Sequence, residues 1–231
     1  MERLQEQESA GCNVWGNPVP AAPFPISLAM NNRPGALPIA LRQTCRRLGI
    51  RCPRFVLLVD VRSQRMTLVE PVAGFSSPDC LVRKTFRIST SRFGLGQKKD
   101  SNCTPLGLHR IARKVGGGWP VGSVFKSREL VGFTWGGVRG AAITHRILWL
   151  EGLEPGFNRG GSVDTFDRYI YIHGTGDEPS VGRPASHGCI HVRGAELLPL
   201  YDLLPCGTLV WITCGQSKSA MSPANCLSNK A

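Results

Sequence analysis

The stretch YIHGTGDEPSVGRPASHGCIHV (residues 171–192) gathers three histidines, His173, His187 and His191, around one cysteine, Cys189. An ordinary thiol is mostly protonated at neutral pH, and the thiolate is the reactive form. An imidazole at hand can take the proton and activate the sulfur. Gly188 lets the main chain turn sharply or approach a ligand closely beside Cys189, and successive N–H groups at such a turn can face an oxyanion. His173 ends a β-rich run, next to a loop of the kind that carries catalytic groups. These residues predict a cysteine nucleophile at Cys189, with imidazoles among His173, His187 and His191 close enough in the sequence to activate it.

The same residues allow other chemistry. Were residues 187–191 extended, His187, Cys189 and His191 would share a face by the two-residue repeat of a strand. With His173 they would form an N/S donor set for zinc. Gly188 argues against a regular strand there, and no second ligand pair stands elsewhere. The other eight cysteines lack histidine company and read as structural or incidental thiols.

The elements that must position the site are mostly strands. FVLLVDV (55–61) and MTLVE (66–70), joined by a short polar turn, predict a hairpin. TFRIST (85–90), LHRIARKV (108–115), ITHRILWLEG (143–152), RYIYIHGT (168–175) and GTLVWI (207–212) predict further strands. GGGWPVGSVF (116–125) reads as a glycine-rich connection and EPGFNRGGSVD (154–164) as a loop. ALPIALRQTCRR (37–48) predicts a short basic helix, and GAELLPLYDLL (194–204) a second one weakened by Pro199. Alternating βα units are missing, which disfavours a doubly wound parallel sheet. The expected organisation is a flexible arm over 1–36, one mainly β domain over 37–214, and a polar tail over 215–231.

Composition agrees. Of 231 residues, 27 are glycine and 17 proline, which favours many strands joined by turns. Apolar residues at 42% and charged residues at 19% exclude a disordered chain. No apolar run reaches the ~20 residues a membrane helix needs. Lys and Arg exceed Asp and Glu by 28 − 16 = 12, so the chain suits anionic surroundings. The basic residues are spread out and no nucleic-acid motif is present, which argues against nucleic acid and leaves an anionic cell-wall polymer or membrane surface as a candidate. Nine cysteines, an odd number without a tight CxxC pair, cannot form a complete disulfide framework within one chain. Met1–Gly11 is polar and charged and Pro18–Met30 is proline-rich, unlike a secretory leader.

HGT at 173–175 followed by SHGC at 186–189 resembles the active-site motif of the L,D-transpeptidase catalytic domain, or YkuD, family. FVLLVDVRSQRMTLVE (55–70) resembles that family's opening hairpin. The TPLG turn at 104–107 resembles its segment before the next strand, and residues 146–175 resemble its compact, single-domain members. The resemblance covers residues 54–213. It implies a β-sandwich with one or two short helices and the cysteine on a loop beside a strand.

The resemblance also implies roles. Cys189 would attack the carbonyl of the third residue of a peptidoglycan stem tetrapeptide, releasing the terminal D-alanine and leaving a thioester. His173 would be the general base. His187 would line the site and orient thiol or substrate. Ser186 and Gly188 would shape the loop, with the N–H groups of Gly188 and Cys189 facing the oxyanion. A second stem's amine would then give a 3→3 cross-link, or water would give carboxypeptidase activity. No metal or organic cofactor is implied, and such a substrate places the protein at the cell envelope. Many members carry Arg or Asn two residues after the cysteine, where this chain has His191. Arg193 could compensate, and Arg183, Arg193 and His191 are candidate substrate contacts. His191 and the absence of an export signal also allow a non-catalytic cell-wall binder.

Overall fold

The computed structural model describes residues 29–137 and 142–215, so most of the predicted arm and nearly all of the predicted tail lie outside the described residues. Eleven strands form one mixed sheet, accompanied by two helices. The predicted first hairpin is β2 (Val56–Asp60) and β3 (Arg65–Pro71), followed by β4 (Asp79–Arg87). β5 (Gly107–Val115), β8 (Ile143–Gly152), β9 (Tyr171–Gly174) and β11 (Leu209–Thr213) occupy the other predicted runs.

The strand expected over 85–90 starts earlier, at Asp79, and ends at Arg87, and four further strands depart from the reading of the sequence. The end of the expected arm is β1 (Arg33–Ala36), which pairs antiparallel with β4 along the sheet edge. An edge tolerates Pro34, which cannot donate to a ladder. The expected glycine-rich connection contains β6 (Ser123–Lys126), which forms a hairpin with β7 (Glu129–Phe133) and also pairs with β8. Directly after the cysteine comes β10 (Ile190–Val192), parallel to β9.

The hydrogen-bonded order β1-β4-β3-β2-β11-β5-β8 continues from β8 to β9 and β10. Beyond β4, Ser89 and His191 exchange two backbone hydrogen bonds of 3.0 and 2.8 Å. The chain leaving β4 is thereby tied to β10, and the sheet curls round its main hydrophobic cluster. Leu57, Met66, Leu68 and Phe86 from one side meet Ile111, Leu148, Leu150 and Ile172 from the other, all fully buried. α2 (Gly194–Leu203) packs Leu197, Leu200 and Tyr201 into the same core, and that burial holds it helical through Pro199. α1 (Ile39–Arg47) covers the outer face with Leu41 and Cys45 at i, i+4 spacing. Its Arg42 and Arg46 donate to the carbonyls of Phe75 and Ser76 in the β3–β4 connection. Among the described residues no helix is long and apolar enough to cross a membrane.

Candidate active site

The parallel pairing of β9 with β10 sets Ile172 opposite Ile190 and His173 opposite His191. Side chains alternate along a strand. The two isoleucines enter the core, and Tyr171, His173 and His191 share the other face. Cys189 precedes β10 on this face. Its sulfur accepts a hydrogen bond from the Tyr171 backbone N–H at 3.4 Å and donates to the Tyr169 carbonyl at 3.5 Å. The half-buried thiol packs against a cluster that includes Trp149 and Tyr171.

The turn before the cysteine is fixed from both sides. Ser186 is buried; its hydroxyl donates to the Cys189 carbonyl at 2.6 Å and accepts from the Gly188 N–H at 3.2 Å. Gly188 has φ +121°, and a Cβ there would lie 3.2 Å from Ile170 Cδ1 and 3.3 Å from the Cys103 carbonyl. Its carbonyl accepts from Thr104 Oγ1 at 3.0 Å, and Thr104 Oγ1 also accepts from the Ser91 N–H. The threonine of the TPLG turn thus braces the SHGC turn. Of the two N–H groups expected to face an oxyanion, that of Gly188 is already engaged by Ser186, which leaves that of Cys189.

His173 is buried, and its Nδ1 lies 2.7 Å from the Gly174 carbonyl. A carbonyl only accepts, so Nδ1 carries the proton and Nε2 keeps a lone pair able to receive one. Burial, reinforced by the neighbouring His191, pushes His173 down to about 3. Burial pushes the Cys189 thiol up to about 11, against the opposing pull of the Tyr171 N–H and the Arg168 charge. Burial thus favours the neutral form of both the thiol and the imidazole, and the sulfur's hydrogen bonds run to the Tyr171 and Tyr169 backbone.

Arg168 is a site residue that the sequence did not single out. Its guanidinium donates to the carbonyls of Gly96, Gln97 and Cys103 at 3.1, 2.8 and 2.7 Å. Its acceptors are neutral carbonyls, the Asp100 carboxylate acts on it electrostatically, and its charge in turn acts on Cys189. The missed residues Thr104, Arg168 and Tyr171 all lie in motifs quoted from the sequence, TPLG and DRYIYIHGT, where nothing local marks their partners.

His187 is exposed, and its Nε2 accepts from Arg92 Nη2 at 2.7 Å, beside Phe93. Together with Arg168 and Tyr169 it lines a cleft of about 140 Å³. The His191 ring lies tilted against that of His173 with centroids 4.7 Å apart, and its buried Nδ1 has no hydrogen-bond partner. Burial brings His191 down to about 4. Arg183 and Arg193 are exposed, the latter at the first position flanking α2, where its side chain makes no capping hydrogen bond. Among the described residues no three His, Cys, Asp or Glu side chains are placed to hold a metal ion. A larger groove of about 340 Å³, lined by Leu58, Thr67 and Trp211, lies on the outer sheet face and contains none of these site residues.

Comparison with known proteins supplies independent information. The family model "YkuD: L,D-transpeptidase catalytic domain" matches residues 54–212. A segment of 48 residues, 20% of this chain and 27% of the relative, is 48% identical to YqjB of Bacillus subtilis (strain 168). Bd1075 of Bdellovibrio bacteriovorus aligns at TM-score 0.46 and 15% identity, over 83% of this chain and 53% of that one. The L,D-transpeptidase from Mycobacterium smegmatis aligns at TM-score 0.39 and 18% identity, over 69% of this chain and 58% of that one. The chain thus spans about a quarter of the curated relative and somewhat over half of these two structures.

Proposed function

Because this chain belongs to the L,D-transpeptidase catalytic domain family, we propose that it is a cysteine-dependent acyltransferase of peptidoglycan stem peptides working at the cell envelope. Cys189 is the nucleophile and His173 the general base. The observation that carries the reading is the β9–β10 pairing: one strand bears the imidazole, and its Tyr171 N–H donates to the sulfur that precedes the other.

His173 Nε2 takes the thiol proton as the sulfur attacks the carbonyl of the stem's third residue. The Cys189 N–H donates to the oxyanion, and the Arg168 charge favours both the thiolate and that oxyanion. Collapse of the tetrahedral adduct returns the proton to the departing D-alanine amine and leaves a thioester on Cys189. The amine of a second stem, losing its proton to His173, takes the acyl group and forms a 3→3 cross-link; water in its place gives the free acid. Ser186 and Gly188 shape the turn, His187 and His191 border the site, and Arg183 and Arg193 are exposed candidates for substrate carboxylates.

The test is incubation of purified protein with muropeptide tetrapeptides. Mass spectrometry should show D-alanine release, cross-linked or hydrolysed product, and a thioester on the peptide containing Cys189. Cys189→Ala should lower turnover by about a thousandfold or more. Full turnover by that variant would overturn the assignment.

A further inference from the structure

Two residues that bond to the nucleophile, Tyr169 and Tyr171, also hold an arginine whose setting no catalytic role explains. The β6–β7 hairpin turns on Ser127 and Arg128, with φ of 49° and 72°. Two consecutive positive φ angles define a mirror-image hairpin turn normally given to Asn-Gly. This turn holds the Arg128 guanidinium carbon 4.8 Å from the ring centroids of both Trp149 and Tyr169, while Nη1 donates to the Tyr171 hydroxyl at 3.3 Å. The platform beneath is itself fixed: Trp149 stacks on Phe166 at 4.0 Å and donates its indole N–H to the Phe166 carbonyl at 3.1 Å.

The guanidinium is positioned but not neutralised. Among the described residues no carboxylate forms an ion pair with Arg128, whereas Arg47, Arg54, Arg83, Arg110 and Arg159 each have one. Stacking occupies the flat faces of a guanidinium and leaves in-plane N–H groups, the geometry that grips a carboxylate in two places. Two of the three aromatic residues that hold it, Tyr169 and Tyr171, also hold the nucleophile: the Tyr169 carbonyl and the Tyr171 N–H bond to Cys189 Sγ. Tyr169 is 52% exposed, so the platform opens to solvent.

We propose that Arg128 is a carboxylate clamp that binds the donor peptide beside Cys189. This inference rests on the proposed peptide substrate. The ligand chemistry is a free carboxylate close to the scissile bond, supplied by the terminal D-amino acid or by an acidic side chain on the third residue.

Binding to Cys189→Ala protein, measured by calorimetry, separates the clamp from catalysis. Tetrapeptide affinity should fall by about tenfold to a hundredfold when Arg128→Met is added. Arg128→Lys keeps the charge, loses the planar fork, and should recover only part of the affinity. Amidating the relevant carboxylate should weaken Cys189→Ala protein by the same factor and leave Cys189→Ala/Arg128→Met protein unaffected. Amidation at the C-terminus or on the third side chain identifies the source. Unchanged affinity in both Arg128 variants, a loss that ignores the peptide's carboxylates, or no peptide binding to Cys189→Ala protein would each overturn the clamp. Should Arg128→Met melt before assay, the Lys variant and the amidated peptides decide alone. Arg128-dependent binding in a protein that never turns the peptide over would keep the clamp and defeat the transferase reading.

Discussion

His173 and His191 sit directly opposite one another in the β9–β10 register, their rings 4.7 Å apart and tilted by 58°. Two imidazoles this close cannot both be protonated without repulsion. The second cause of the low His173 pKa, after burial, is His191. His191→Asn removes that cause, so the His173 pKa should rise and the acid limb of kcat/KM should move to higher pH. A pH–rate profile of the variant checks this, and an unmoved limb would assign the His173 shift to burial alone.

The neutral resting pair makes a second prediction. With the Cys189 thiol near 11 and His173 near 3, neither group changes charge between about pH 5 and pH 9. Turnover that relies on proton transfer during attack should therefore be nearly flat over that range. Alkylation of the free enzyme by iodoacetamide needs thiolate in advance, and should accelerate about tenfold per pH unit over the same range. Cys206 is exposed and will also react, so the Cys189 peptide must be followed by mass spectrometry. An alkylation rate already level at pH 6 would reveal a preformed thiolate–imidazolium pair.

Arg168 predicts a separation of charge from structure. Arg168→Met keeps much of the volume but orphans the carbonyls of Gly96, Gln97 and Cys103 and removes the positive charge near the sulfur. Stability should fall by roughly 2–4 kcal/mol, and Cys189 alkylation at a fixed pH should slow. Arg168→Lys should lose stability yet retain more of the thiol's reactivity. Equal reactivity in the two variants would show that the charge does not reach the sulfur.

What the sequence reveals about this site depends on where each residue's partner lies. Cys189 and His173 are legible because their neighbours in the chain, SHG and GT, already suggest a turn and a strand end. β8 is legible to its boundaries because ITHRILWLEG alternates and then becomes wholly apolar. β6 and β7 are hidden because their turn is Ser-Arg rather than Asn-Gly, and because glycine and proline crowd the approach. β10 is three residues long and contains a histidine, too short for any period to show. Arg168 reads as an ordinary arginine because all three of its acceptors are main-chain carbonyls some 65 to 72 positions away. Arg128 is invisible for a related reason: its meaning lies in the rings of Trp149 and Tyr169, brought beneath it by the β8–β9 pairing.

Gly188 gives the most direct test of how tightly the turn is built. Its φ of +121° lies where side-chain-bearing residues are strained, and the Cβ of Gly188→Ala would press on Ile170 Cδ1 and the Cys103 carbonyl at 3.2 and 3.3 Å. Together these should cost about 1–3 kcal/mol, lowering the melting temperature by a few degrees in a chain of this size. The effect on activity should be larger than the effect on stability. Relief of the strain must move the segment that holds the Cys189 N–H and sulfur, and misplacement by about 1 Å can cost a hundredfold in rate. Thermal melts and single-turnover acylation of the same preparation compare the two losses. A stable Gly188→Ala protein that acylates at the wild-type rate would mean that the sulfur's position is set by β10 and the Tyr171 N–H rather than by the turn.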